Sequence, residues 1–231
     1  MAVAMDVWFD YICPYSVITR HVVAEVLAGH EAVVTYHPFE VNPDCVEEAG
    51  EYPRGVWEAS VRPLARERGV RLSGPPGAPL RRARLALVGY QYALDEGAGG
   101  TYSDEVFRAY FDQWQDISDP VVLTRLAARA GLDAQAYRAA IMSPQYLLRH
   151  RRADAAARTE QGITMVPVVR IGSWRLDGVP TREQLAEALD RAAADEQAPS
   201  STPAGTQVSP LAADGRAPRP ASGEEAFPSA A

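Results

Sequence analysis

The tetrapeptide Cys13-Pro14-Tyr15-Ser16 stands between a predicted strand and a predicted helix, close to the start of the chain. The strand, Val3 to Phe9, contains the β-branched and aromatic residues that favour extended structure. The helix, Val17 to Leu27, places apolar residues at helical spacing. Pro14 suits its first turn, because the missing N–H would have no partner there. Cys13 is therefore predicted to lie at the N-terminus of a helix.

A cysteine in that position is predicted to be reactive. Unpaired backbone N–H groups and the positive end of the helix dipole stabilise a thiolate, so we expect the pKa of Cys13 to fall well below ~8.5. Ser16 occupies the place of the second cysteine in a Cys-x-x-Cys redox motif. Its hydroxyl can donate a hydrogen bond to the thiolate but cannot form a disulfide with it. The alternative is a small apolar cysteine that only packs at the head of the helix.

The composition excludes several classes of function. All 23 basic residues are arginine, which rules out a P-loop lysine, a Schiff-base lysine and a lysine general base. The 231-residue chain has a net charge of −7, which disfavours nucleic acids and anionic membranes as partners. The two cysteines and four histidines show no metal-ligand spacing, so no metal site is predicted.

The N-terminal region bears on the cellular compartment of the protein. Asp6 stands where a secretion signal would be basic, and no apolar run reaches the length of a membrane span. With two cysteines, the chain is not a disulfide scaffold either. We therefore expect a cytoplasmic protein.

The residues after the first helix predict how the chain returns to the sheet. Ala32 to Phe39 is a second predicted strand, and the short linker before it favours a right-handed parallel strand–helix–strand unit. Both strands then end on the same edge, so residues 40–45 are expected beside Cys13. Within them Cys45 is a candidate resolving thiol, although an isolated second cysteine is more often incidental.

Helical patterns fill residues 54–160. Helix starts are predicted at Ser103, Asp119, Asp133 and Ser143. The aromatic stripe from Phe107 to Trp114 is expected to belong to the core. The run from Arg149 to Arg152, which includes His150, is expected to be a solvated helix face, with an anion site as the minor alternative.

Extended structure returns near the C-terminus. Val166 to Ile171 and Trp174 to Leu176, separated by a Gly-Ser dipeptide, predict a β-hairpin. Thr181 and Gln184 form a capping box that opens a last helix. From about Asp195 the chain is rich in Ala, Pro, Ser and Gly, which predicts a disordered tail.

Taken in order, these motifs resemble the DsbA-like thioredoxin-fold superfamily. Residues 9–16 (Phe-Asp-Tyr-Ile-Cys-Pro-Tyr-Ser), 38–44 (Pro-Phe-Glu-Val-Asn-Pro-Asp) and 107–111 (Phe-Arg-Ala-Tyr-Phe) are similar to its FrnE-type branch. That branch is related to 2-hydroxychromene-2-carboxylate isomerases and kappa-class glutathione transferases. The resemblance covers about residues 3–194.

The resemblance implies an α/β protein, with a thioredoxin-like fold and an inserted all-helical domain. The implied segments are residues 1–42 and 151–194 for the thioredoxin-like domain and 43–150 for the helical insertion. The predicted disordered tail, residues 195–231, is not matched by the resemblance and rests on composition. The resemblance also implies that the Val166–Pro167 bond is cis and that Pro167 faces Cys13. The backbone of Val166 would then pair with a bound peptide or a glutathione-like thiol.

The predicted site has catalytic and binding residues from both parts of the thioredoxin-like domain. The catalytic residues are Cys13, Ser16 and Pro14, and the binding residues are Tyr15, Val166, Pro167 and Asp10. Asp10 is a candidate for accepting or relaying a proton, with a cap at the end of the strand as the alternative. No metal is assigned.

The serine at position 16 also bears on which function the resemblance implies. Disulfide-exchanging members of the superfamily usually carry cysteine there, whereas isomerase and kappa-class members usually carry serine at the first motif position. The favoured function is an oxidoreductase with a single thiol, Cys13, that forms a mixed disulfide or adduct with a small thiol. One alternative is a thiol-dependent isomerase or transferase that tailors a small organic substrate under the helical lid; the other is a non-catalytic binding module. No tightly bound cofactor is expected, and glutathione and mycothiol are the candidate co-substrates. The sequence leaves open whether the protein forms a homodimer.

Overall fold

A mixed sheet lies at the centre of the computed structural model. The structure describes residues 2–41, 43, 53–76 and 82–197, and their strands form one sheet in the order β2-β1-β3-β4. Strand β1 (Val3–Phe9) pairs in parallel with β2 (Ala32–Pro38) and antiparallel with β3 (Val168–Ile171). Strand β4 (Trp174–Asp177) completes an antiparallel hairpin with β3. The parallel pairing of β1 with β2 and the hairpin confirm the predicted strand pattern.

Two helices, α1 (Pro14–Leu27) and α9 (Arg182–Gln197), pack on one face of this sheet. Helix α1 begins at its proline, as predicted. The predicted capping box precedes α9: the backbone N–H of Thr181 donates to the Gln184 side chain at 2.9 Å, and the Thr181 hydroxyl accepts from the Gln184 N–H at 3.1 Å. The apolar residues between the helices and the sheet include Met5, Val7, Val22, Val23, Val169, Ile171, Leu185 and Leu189.

The helix α9 continues to Gln197, beyond Asp195, where the tail was expected to begin. The rest of the expected tail, residues 198–231, lies outside the described residues. Within the part of the chain that is described, no helix has the length and the apolarity that crossing a membrane requires.

Helical structure predominates between β2 and β3. The segments are α2 (Arg54–Val56), a π-helical turn (Trp57–Val61), α3 (Arg62–Glu67), α4 (Arg84–Asp95), α5 (Gly99–Phe111), α6 (Pro120–Arg129), α7 (Ala134–Ile141) and α8 (Pro144–Thr159). Asp119, Asp133 and Ser143 cap α6, α7 and α8 through their side chains, which confirms three predicted helix starts. The fourth was wrong: α5 begins at Gly99, and the Ser103 hydroxyl lies buried inside it, 2.8 Å from the hydroxyl of Tyr11.

Two expectations about exposure also need correction. Phe107, Tyr110 and Phe111 are buried as predicted, but Trp114 is 59% exposed, because α5 has ended and the backbone turns at Trp114 with a φ of 51°. His150 is only 1% exposed, so it does not belong to a solvated face. The reason is that α8 packs against both α4 and β2, which places one side of the helix inside the protein.

Gly89 of α4 lies under a pair of buried tyrosines. The hydroxyls of Tyr102 and Tyr137 are 2.6 Å apart, and a Cβ on Gly89 would lie 2.1 Å from the Tyr137 hydroxyl. We expect Gly89→Ala to lower the free energy of unfolding in urea by about 1–3 kcal/mol, because the tyrosines must shift and their hydrogen bond must stretch. Gly55→Ala in α2 is the matched control, since among the described residues no atom beyond its chain neighbours and its own helix backbone lies within 4 Å of the position that the added Cβ would take. Equal destabilisation of both variants would contradict this packing.

Candidate active site

Cys13 lies at the N-cap of α1, where the chain leaves β1. Cys13 as a residue is partly exposed, and its thiol donates a hydrogen bond to the carbonyl oxygen of Val166 across a distance of 3.4 Å. The Val166–Pro167 peptide bond is cis. The Ser16 N–H donates to the Cys13 carbonyl oxygen at 3.0 Å, and the Ser16 hydroxyl accepts a hydrogen bond from the Asp10 N–H at 3.3 Å. The fold therefore brings the Cys-Pro-Tyr-Ser tetrapeptide next to a backbone carbonyl that is 153 residues away in the sequence.

The electrostatics of Cys13 differ from the expectation. Burial raises the pKa of the Cys13 thiol to about 11 and outweighs the hydrogen bonds from Ser16, which lower it, while the negative charge of Asp10 adds to the rise. The sulfur packs against an apolar cluster that includes Trp8 and Phe39, which disfavours the charged form. The prediction of a low pKa was therefore wrong, although Cys13 does lie at the N-terminus of α1, as that prediction required. In this state Cys13 is a protonated thiol.

This pKa leads to a measurable rate profile. We expect alkylation of Cys13 by iodoacetamide to be slow at neutral pH and to keep accelerating towards the pKa of about 11, because the thiolate is the reactive form. Peptide mass spectrometry after timed quenching separates Cys13 from Cys45, which lies outside the described residues. A rate that already levels off below about pH 8 would show that the native site stabilises the thiolate.

Asp10 is completely buried at the end of β1. One carboxyl oxygen accepts a hydrogen bond from the Val41 N–H at 2.8 Å, and the other accepts from the Ile12 N–H at 3.2 Å. Burial raises the pKa of Asp10 to about 7 against the effect of these hydrogen bonds, and the charge of Glu40 raises it further. Asp10 thus holds the backbone on both sides of the site, and its carboxyl titrates near neutral pH close to the thiol.

A set of charged side chains that the sequence analysis did not identify holds the segment beside Asp10. The buried carboxylate of Glu40 accepts a hydrogen bond from Arg84 Nε at 2.9 Å and lies 3.5 Å from His150 Nε2. The Glu40 N–H donates to Asp154 at 2.8 Å, and Arg158 binds both Asp154 and the Glu40 carbonyl. Helices α4 and α8 therefore fix the backbone that donates to Asp10. The sequence signal for this set was Glu40, an acidic residue that directly follows the buried Phe39 just beyond the end of β2.

A groove with a volume of ≈ 330 Å³ opens at the cis peptide bond, and Tyr15, Val166 and Pro167 are among the residues that line it. Cys13 does not line this groove itself and reaches it through Val166, whose carbonyl accepts from the thiol. The Tyr15 hydroxyl is 2.7 Å from the Ser60 hydroxyl, which links the start of α1 to the π-helical turn. Pro14 is buried in the first turn of α1, where it starts the helix but brings no polar side-chain group to the site. Among the residues that can be described, no group of three or more potential metal ligands comes together.

Comparisons with known proteins agree on the fold. The model of the DSBA-like thioredoxin domain matches residues 4–190. The uncharacterized protein YwbO of Bacillus subtilis is 30% identical over 203 residues, which are 85% of this chain and 98% of YwbO. A probable DsbA oxidoreductase from Streptomyces coelicolor superposes with a TM-score of 0.71 at 20% identity, over 84% of this chain and 91% of that chain. A 2-hydroxychromene-2-carboxylate isomerase superposes with a TM-score of 0.70 at 17% identity, over 84% and 97%. These matches confirm the predicted fold class.

Proposed function

Because the chain belongs to the family of DSBA-like thioredoxin domains, we propose that it is a thiol-dependent oxidoreductase with Cys13 as its single active-site thiol. The observation that carries this proposal is the Cys13 sulfur at the head of α1, 3.4 Å from the carbonyl oxygen of Val166, a residue that lines an open groove. Ser16 stands where a second thiol would be, so a disulfide within the motif cannot form. A cytoplasmic location fits, because small thiols are kept reduced there.

The proposed reaction begins with loss of the Cys13 proton. We assign this proton to Asp10, whose charge acts on Cys13 and which, with a pKa of about 7, is a carboxylate at mildly alkaline pH. The thiolate is a minor species, but nucleophilicity rises with pKa. It attacks one sulfur of a small disulfide: the bond from Cys13 to that sulfur forms, the original S–S bond breaks, and the other half leaves as a thiolate. Cys13 is oxidised to a mixed disulfide and the small disulfide is reduced.

The adduct is then resolved from outside. The Ser16 hydroxyl is too weak a nucleophile to attack sulfur, so the thiolate of a second small thiol attacks the sulfur that is attached to Cys13. A new small disulfide forms, the bond from that sulfur to Cys13 breaks, and Cys13 leaves as a thiolate. A thiol with a raised pKa is also a poor leaving group, which slows release of Cys13. Protonated Asp10 can return the proton to the departing sulfur and complete the cycle.

Intact-mass measurement tests this proposal. Incubation with bis-hydroxyethyl disulfide at about pH 8 should add one hydroxyethylthio group at Cys13, and excess mercaptoethanol should remove it. Cys13→Ser, a nearly isosteric change, should take up no label at that peptide. If the wild-type protein forms no adduct at Cys13 under these conditions, the redox proposal is wrong.

A second candidate is a thiol-dependent isomerase or transferase. It is favoured by one observation: a protonated thiol next to a groove whose walls include Leu64, Met165 and Val179. Such a thiol can donate a hydrogen bond to the thiolate of a bound co-substrate while an apolar substrate occupies the groove. A small apolar molecule that remains bound through purification, together with no mixed disulfide at Cys13, would favour this candidate over the first.

A further inference from the structure

We infer that the small thiol that reacts with Cys13 is uncharged apart from its sulfur, and is not a thiol that carries several carboxylates. This inference rests on the proposed function and names the class of its co-substrate. It comes from the charges that surround the groove.

The lining of the groove is largely apolar. Leu64, Met165, Pro167 and Val179 form its walls, and Met165 is 73% exposed. Among the lining residues that the structure describes, Asp177 is the charged one. A ligand carboxylate in this groove would therefore lose water without gaining a cationic partner.

The arginine nearest to Asp177 is already engaged. Arg175 Nε and Nη2 bind the two carboxylate oxygens of Asp177 at 2.8 and 3.2 Å. Arg175 Nη1 also donates to the carbonyl of Gln161 at 2.8 Å. Turning Arg175 towards a ligand would break these bonds and expose the Asp177 carboxylate, so the arginine is not available as an anion receptor.

Negative charge also acts on the sulfur from within the protein. Asp10 acts on Cys13 as a nearby negative charge, and Glu40 acts on Asp10 in the same way. Two arginines beside this pair are already engaged: Arg84 is bound to the Glu40 carboxylate, and Arg158 to the Glu40 carbonyl and to Asp154. Like charges across a site oppose binding and slow association.

These features separate the two candidate co-substrates by their chemistry. Glutathione carries two carboxylates, neither of which finds an unpaired cation among the described residues of the groove. The sugar and inositol rings of mycothiol are uncharged and offer hydroxyls. An uncharged thiol of the second kind therefore fits this site better.

A charge series of small disulfides tests the inference. Bis-hydroxyethyl disulfide, dithiodipropionate and cystamine are similar in size and are neutral, anionic and cationic. Rates of adduct formation at Cys13 are measured by mass spectrometry and divided by the rates with free cysteine. We expect the anionic probe to react about tenfold more slowly than the neutral one at low ionic strength, and expect salt to reduce the difference.

Substitution of Met165 supplies the converse test. Met165→Arg adds a cation at an exposed position, so the ratio of anionic to neutral rates should rise at least about fivefold, whereas Met165→Gln should leave that ratio unchanged. If the wild-type protein reacts with the anionic probe as fast as with the neutral probe, the inference is overturned. If no probe reacts, the proposed function itself fails, which is a different result.

Discussion

Ser16→Cys should convert this protein into a dithiol enzyme whose turnover in disulfide exchange exceeds that of the wild type by on the order of 100-fold. The Ser16 side chain lies in the first turn of α1, one helical turn after Cys13 at the N-cap. A thiol at that position attacks the mixed disulfide within the same molecule. Intramolecular attack avoids the entropy cost of bringing in a second thiol.

The measurement is the steady-state rate of insulin reduction or of peptide dithiol oxidation, with the wild-type protein and Cys13→Ser/Ser16→Cys as controls. The double variant should be inactive, because the serine at position 13 cannot start the exchange. If the wild type already turns over as fast as Ser16→Cys, a second internal thiol exists. Cys45 would then be that thiol, since the chain has two cysteines, and the one-thiol mechanism would be wrong.

Asp10→Asn should reverse part of the pH dependence of stability. The pKa of Asp10 rises from 3.8 in the unfolded chain to about 7 in the folded protein. Above pH 3.8 the unfolded chain releases this proton while the folded protein retains it, so the wild type loses stability until pH passes 7. The loss corresponds to about 4 kcal/mol. The asparagine variant lacks this proton and should not show the loss.

At low pH the variant should be the less stable protein, because asparagine has one acceptor oxygen for two backbone N–H groups and one of these loses its partner. Urea unfolding of both proteins between about pH 4 and 8 gives the difference in free energy of unfolding. Asp6→Asn is the control of opposite sign: burial raises the pKa of Asp6, but hydrogen bonds from His37 and Arg170 outweigh it and lower the pKa. A constant difference between the wild type and Asp10→Asn at every pH would refute the raised pKa.

The parts of the fold that could be predicted from the sequence depend on short-range signals. The bounds of β1, the start of α1 at Pro14 and the capping box of Thr181 and Gln184 all follow from residues a few positions apart. The tetrapeptide at the head of α1 placed Cys13 and Ser16 correctly for the same reason. A family resemblance was needed to bring Val166 to the site, since nothing local joins it to Cys13.

What could not be predicted depends on desolvation and on contacts between distant elements. The donors around Cys13 follow from helix geometry, but its pKa is set by an apolar cluster whose members come from three separate parts of the chain. His150 is buried by the packing of α8, which an arginine-rich stretch of sequence does not reveal. Serine is a residue type that often caps helices, but Ser103 is buried and its hydroxyl forms a hydrogen bond with the hydroxyl of Tyr11.

The hydrogen bond from Cys13 to Val166 has a consequence for the oxidised state. The donor in this bond is the thiol hydrogen, and a sulfur that carries a disulfide has no hydrogen to donate. The Val166 carbonyl must then take another donor, because an unsatisfied carbonyl in a partly buried position costs about 1–3 kcal/mol. An amide N–H on the attached thiol is one such donor. In the proposed reaction, forming the disulfide at Cys13 removes the donor to the Val166 carbonyl oxygen. The amide N–H of a cysteine-derived adduct can then donate to that same oxygen.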